Sequence, residues 1–303
     1  MRLVAVKYIL NPPQPGHGRL SCGNNCFRVD VIVKVATAFF RAKKNGPLLQ
    51  SQEASDSPAK LVEKPLDATL FHITHWKAAT TWIARILRDA FPKKTLMPRA
   101  YFDADLSVPV IPNRIYPAIC LRKEVFDTLE LPANTRRFVV IRDLRDAVVS
   151  AYFSIRYSHG ADPYVERDRR ILVSLDQENA MLYLIHTWAF MSASIQRSWL
   201  SAREPFFRFE DITQNPTENF RKIFLEHCAL TIDTAALDEV LARHHFSRYS
   251  GGRDKGNEDI HSHYRKGTAG DWRLYFSEKT KAEFKRLFSD VLVLGGYERD
   301  DLW

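Results

Sequence analysis

Ala68-Thr69-Leu70-Phe71-His72-Ile73-Thr74-His75-Trp76-Lys77-Ala78-Ala79-Thr80-Thr81-Trp82 is the stretch that decides the fold. The apolar run Ala68 to Ile73 reads as a buried strand and Thr74 to Thr80 as a short turn. Ile83, Ile86, Leu87 and Ala90 then recur at helical spacing until Pro92 stops the helix. A helix N-terminus presents unpaired backbone N–H groups and the positive end of the helix dipole, which favours an anion. Lys77 adds a full positive charge there, and Thr80 and Thr81 add hydroxyl donors.

The same plan recurs once. Phe138 to Ile141 reads as a second buried strand that delivers Arg142 to its end, and Asp143-Leu144-Arg145-Asp146 opens a helix carrying Val148, Ser150, Ala151 and Tyr152. Arginine offers a planar fork matched to phosphate, and a serine two turns along can approach the same group if the chain bends at Asp143. An Arg142–Asp146 ion pair is the plain alternative. A third segment, Tyr264-Arg265-Lys266-Gly267-Thr268-Ala269-Gly270-Asp271-Trp272, sets two adjacent cations before two glycines that let backbone amides approach a ligand closely. Further helices are expected over Met181–Leu200, Pro216–His227 and Ser277–Leu292, and a strand over Phe206–Phe209. Strands alternating with helices predict one α/β domain with a mostly parallel central sheet flanked by helices, its ligands at the carboxyl ends of the strands.

These three segments, in this order, resemble a PAPS-dependent sulfotransferase. That family carries a Pro-Lys-Ser-Gly-Thr-Thr-Trp loop, an Arg-Asn-Pro-Lys-Asp segment followed by Val-Ser, and an Arg-Lys-Gly-x-x-Gly-Asp-Trp loop. Phe209-Glu210-Asp211 resembles its Tyr-Glu-Asp, and the similarity spans residues 67 to 300. The resemblance implies a P-loop-like single domain over 66–303, with 3′-phosphoadenosine 5′-phosphosulfate (PAPS) as co-substrate and no metal. The first loop is not a Walker A loop, because its glycines are missing and two alanines separate the lysine from the hydroxyls. By resemblance Lys77, Thr80 and Thr81 hold the 5′-phosphosulfate and Trp82 stacks near the adenine. Arg142 and Ser150 bind the 3′-phosphate, Arg265, Lys266 and Gly267 close over it, and Phe246 lines the adenine pocket. Lys77 is the expected catalytic cation.

The chain departs from the family at three places. Ala79 stands where the family has glycine, so a positive φ there would cost about 1 kcal/mol or more. Leu144 replaces a proline. Ile115 to Leu121 lacks the histidine of the family's His-Leu-Pro segment, which leaves His75, Asp103, Asp105 and His159 as candidate bases, His75 first. The acceptor is expected to be a small molecule or glycan; Arg156, Arg167, Arg169 and Arg170, in one of two expected acceptor loops at 97–120 and 155–175, raise the prospect of an anionic one. The other readings are a nucleotide-binding relative without turnover and a nucleotide-dependent kinase.

Composition agrees with this picture. Of 303 residues 45% are hydrophobic, enough for a core without covalent staples, and the net charge of +8 suits an anionic partner. The basic residues are spread along the chain, not clustered with aromatics, which argues against nucleic acid. No apolar stretch reaches the length of a membrane span. Four scattered cysteines, Cys22, Cys26, Cys120 and Cys228, fit free thiols and a cytoplasmic setting. His261 and His263 lack nearby carboxylates and read as loop histidines. Residues 1–65 are broken by Pro12, Pro13, Pro15, Gly16 and Gly18 and read as a loosely held or accessory extension, with a short amphipathic helix over Val31–Arg41.

Overall fold

The computed structural model describes residues 66–96, 109–160 and 162–303. The expectations for residues 1–65, for Cys22 and Cys26, and for Asp103 and Asp105 lie outside them. The described residues belong to one unit, Lys43–Trp303. No helix among them is long and apolar enough to cross a membrane. Cys120 and Cys228 are free and buried.

Four strands, β1 (Thr69–Ile73), β2 (Ile115–Ile119), β3 (Thr135–Ile141) and β4 (Phe206–Arg208), form an all-parallel sheet in the order β2-β1-β3-β4. Side chains alternate between its faces, as the two-residue period of a strand requires. Phe71, Ile73, Val139 and Ile141 pack into one apolar cluster, and Leu70, Phe138 and Val140 into another. Helix α1 (Thr80–Ala90) covers the second face with Ile83, Ile86 and Leu87. The first face is covered by α2 (Lys123–Phe126), α3 (Leu144–Phe153), α4 (Pro163–Ser174), α5 (Gln177–Thr187) and α6 (Ala189–Ser201), to which each contributes buried residues. After β4 come α7 (Phe209–Gln214), α8 (Pro216–Arg221), α9 (Thr234–Arg243), α10 (Phe246–Tyr249), α11 (Trp272–Tyr275) and α12 (Glu278–Leu294).

Three expected elements differ. The helix expected over Met181–Leu200 is two helices, α5 and α6, divided at Trp188. The helix expected to run to His227 widens into a π turn from Lys222. Of the two stretches expected as acceptor loops, the described part of one contains strand β2 and the other contains helix α4, started by the Asp162 side chain accepting from Tyr164 N–H and by Pro163 in its first turn.

A bulge marks the β1–β2 pairing, where the register shifts between Phe71 and Ile73 and Ala118 takes φ 61°. The amide of Ala118, displaced from the ladder, donates to His72 Nδ1 at 3.2 Å. His72 is fully buried against Phe138, and burial lowers its pKa to about 3, so it stays neutral and serves as an internal acceptor.

Candidate active site

The strand ends converge on one rim. The loop from β1 into α1 turns on two left-handed residues, Lys77 at φ 63° and Ala79 at φ 60°. Ala79 precedes the helix without a side-chain cap, and the first backbone bond of α1 runs from Ile83 N to Ala79 O at 2.9 Å. The amides of residues 80–82 therefore face the rim without an intrahelical acceptor. An alanine at φ 60° costs about 1–2 kcal/mol, partly offset because glycine loses more freedom on folding. Ala79→Gly will therefore raise the midpoint of thermal unfolding by about 1–3 °C. A calorimetric scan showing no rise would mean that the loop bears no strain.

Arg142 reaches the same loop from the end of β3. Its Nη1 donates to Lys77 O at 2.8 Å and its guanidinium lies 4.3 Å over the Phe209 ring, while its buried Nε has no partner. The Lys77 ammonium has no hydrogen-bond or ion-pair partner among the described residues. Desolvation, then the charges of Arg142 and Arg265, lowers its pKa from 10.5 to about 7. Cations from the three sequence segments thus act on one another, and a bound anion would relieve their repulsion.

His75, expected as the first-choice base, has a different place. It is 1% exposed. Its Nδ1 donates to Trp76 O at 2.9 Å, and its Nε2 accepts from Arg142 N–H at 3.2 Å and from Gln196 Nε2 at 2.8 Å. Gln196 also donates to Arg142 O at 2.8 Å. Burial holds the ring neutral, its pKa lowered to about 3. Both nitrogens are committed, so His75 fastens the two loops together and has no nitrogen to offer an acceptor. Sequence reasoning missed Gln196, which closes this junction; the available signal was a polar residue among Ala193, Ile195, Trp199 and Leu200, which are all buried.

The Arg142–Asp146 ion pair, the plain alternative in sequence, is not formed. Asp146 accepts from Gly270 N–H at 2.6 Å and Trp272 N–H at 2.9 Å, which ties the C-terminal loop to α3. Arg145 is bonded to Asp143 at 2.7 Å and Glu298 at 2.5 Å, and is held between the rings of Trp272 at 3.9 Å and Trp303 at 4.3 Å. Glu210 accepts from Asp143 N–H at 3.0 Å and from the Tyr297 hydroxyl at 2.9 Å, so the Phe209-Glu210-Asp211 segment holds the turn with a ring against Arg142 and a carboxylate on the Asp143 amide.

The remaining expected contacts sort by neighbourhood. Arg265 pairs with Glu258 and Asp271, and Lys266 pairs with Asp271 at 2.7 Å, so both arrive partly neutralised, unlike Lys77. Gly267 has φ +72°, and a Cβ there would stand 2.7 Å from the Phe246 ring, so glycine is required for the loop to pack on Phe246. Trp82 donates from Nε1 to His244 O at 2.8 Å, two residues before Phe246. Ser150 is half-buried on α3 with no hydroxyl partner among the described residues; Thr80 is buried and Thr81 half-buried at the start of α1.

His263 is exposed at its surface edge but stands among cations. The protein around it, then the charges of Lys77, His159 and Arg85, lowers its pKa to about 3. The arginines that raised the prospect of an anionic acceptor are mostly engaged within the protein. Arg156 donates to Tyr152 Oη at 2.9 Å, Arg169 to Ile155 O at 2.7 Å, and Arg167 to Asp168 at 2.9 Å, which leaves Arg170 exposed. Among the described residues no cluster of histidine, cysteine and carboxylates could hold a metal. A surface hollow of about 490 Å³ along Gln214–Arg221 shares no residue with the three anion-suited segments.

A parallel sheet whose strand ends present Lys77 and Arg142, with Arg265 acting on the same ammonium, is a concentration of positive charge suited to an anionic ligand. Residues 125–296 match the family described as sulfotransferase domain, more than half of the chain, and the protein belongs to that family. The match begins after the first anion loop. Mouse sulfotransferase SULT7A1 complexed with PAP has the same fold, with a TM-score of 0.53 at 18% identity over 76% of this chain and 88% of that one. Retinol dehydratase in complex with androsterone and PAP aligns with a TM-score of 0.45 at 13% identity, over 74% and 80%. No curated protein matches by sequence.

Proposed function

We propose that the chain transfers a sulfuryl group from PAPS to a hydroxyl or amine of a small-molecule or glycan acceptor. The observation that carries this is the unpaired Lys77 ammonium, set with Arg142 and Arg265 at the carboxyl end of a parallel sheet. Family membership supports it, as does PAP, adenosine 3′,5′-bisphosphate, in a neighbour of the same fold.

In this reading Lys77, Thr80, Thr81 and the first amides of α1 hold the 5′-phosphosulfate, and Trp82 and Phe246 flank the adenine. Arg142 and Ser150, with Arg265, Lys266 and Gly267, take the 3′-phosphate. The acceptor atom bonds to sulfur as the bond from sulfur to the 5′-phosphate oxygen breaks, and adenosine 3′,5′-bisphosphate leaves with that electron pair. Lys77 stabilises the charge that builds on the departing oxygen, an interaction strongest in the transition state. In this reading the acceptor proton passes to His263, an exposed ring whose charge neighbours include Lys77 and His159.

Calorimetry in EDTA tests the reading. Adenosine 3′,5′-bisphosphate will bind tightly without metal, ATP far more weakly, and Arg142→Ala will lose about 10- to 100-fold in affinity, the worth of charge-assisted hydrogen bonds to one phosphate. No binding by the wild type, or equal preference for ATP, overturns it in favour of a kinase or a non-nucleotide role.

A further inference from the structure

The loop that carries Arg265 to Gly267 has almost no regular secondary structure between Ser250 and Asp271, yet two devices fix it. One is internal. Arg253 donates to Ser250 O at 2.9 Å, Asn257 O at 2.6 Å, Arg265 O at 2.9 Å and Tyr264 O at 2.9 Å, so a single guanidinium gathers both arms of the loop. Gly256 N–H bonds to Lys266 O at 2.8 Å and Asp259 N–H to Arg265 O at 2.9 Å across the same gap. The loop is therefore a preformed body.

The other device fastens this body to α1. Arg85 lies one helical turn beyond Thr81, half-buried. Its Nη1 donates to the Tyr264 hydroxyl at 3.0 Å, and its guanidinium stands 4.9 Å over the Tyr249 ring. Tyr249 and Tyr264 stack at 4.8 Å with 15° between their planes. The chain behind Tyr249 is held to the same helix, since His244 bonds both the Tyr249 hydroxyl and, at 3.0 Å, Asp89, while Arg243 reaches Asp89 at 3.1 Å. A cation wedged against two stacked phenols, on the helix that opens with Thr80 and Thr81, thus sits directly before the Arg265-Lys266-Gly267 run.

We propose that Arg85, Tyr249 and Tyr264 are positioning residues: this clamp on α1 sets where the C-terminal loop stands, and so how tightly the protein grips a nucleotide's 3′-phosphate, without touching the ligand. The proposal rests on the nucleotide reading above. Asp146 holds the far end of the loop to α3, so the clamp governs the near end, where the cations are. Association with a preordered loop avoids the cost of ordering it at binding, which is why a residue outside the site changes affinity.

The experiment measures calorimetric affinity for two probes, adenosine 3′,5′-bisphosphate and adenosine 5′-phosphosulfate, which lacks the 3′-phosphate. Arg85→Met, Tyr264→Phe and the double variant are compared with wild type, and unfolding midpoints are recorded alongside. Each single variant is expected to weaken the bisphosphate about five- to tenfold and the phosphosulfate less than twofold. The double variant should be no worse than the weaker single, because both remove one shared interaction. Arg85→Lys, which keeps the charge and one donor, should recover part of the loss. Equal losses for both probes, strictly additive losses, or unchanged bisphosphate affinity would overturn the clamp. Failure of the wild type to bind either probe would instead overturn the nucleotide reading, and the clamp's role with it.

Discussion

Lys77→Met will lower the rate of sulfuryl transfer by about 10³-fold while weakening adenosine 3′,5′-bisphosphate only about tenfold. Methionine keeps the length and apolar stem of lysine, so the loop held by Arg142 and His75 should survive. What is lost is the cation at the departing oxygen. The lowered pKa adds a pH signature with a definite sign. In the free protein Lys77 titrates near 7, and a bound anion raises that value, so binding takes up a proton. Nucleotide affinity is then full below about pH 7 and declines as pH rises above it; the methionine variant lacks this decline. Labelled PAPS with a panel of hydroxyl and amine acceptors measures the rate, and calorimetry in buffers of different ionisation enthalpy counts the proton. A variant that transfers at the wild-type rate removes Lys77 from the chemistry.

His263→Ala will reduce transfer by about 10²-fold or more, with bisphosphate affinity held within about twofold. Desolvation, then the charges of Lys77, His159 and Arg85, disfavour the protonated ring, so the wild-type rate should lose less to histidine protonation at low pH than a free imidazole would. The alanine variant's rate should rise with pH as the acceptor ionises unaided. His159→Ala is the informative control, since His159 is a charge neighbour of His263 and was itself a candidate from sequence. If His159→Ala abolishes transfer and His263→Ala does not, the proton goes to His159.

How much of this was legible in the residues follows from the physics of each element. The two strand-turn-helix units announced themselves because a short apolar run followed by three-and-four spacing has few other readings, and the structure places both as expected. Strand β2 did not, because Pro117 interrupts it and it lies at the sheet edge, where proline is tolerated. Helix α4 was hidden by its charges: Glu166, Arg167, Asp168, Arg169 and Arg170 look like a solvated loop until Leu172 is seen packed in the core. Trp188 divides what periodicity alone had joined.

The same limits apply to the site. Lys77 and Arg142 were identifiable because charge at a strand end has a chemical meaning independent of packing, and Arg265 because two adjacent cations precede two glycines. Their meeting was an inference from fold. His75 misled because adjacency to Lys77 in sequence says nothing about which way an imidazole turns at the end of a strand, and here it turns inward to Gln196. Arg85 lies 179 residues before Tyr264, and only the fold brings it onto the Tyr249–Tyr264 stack.

Ala79 carries a lesson for recognising such sites elsewhere. Its letter departs from the glycine of related loops, while its backbone sits at φ 60° and ψ 21°. The loop is thus specified by a pair of dihedral angles and not by an amino-acid type. A template written in torsions would retrieve it where a template written in letters passes it by.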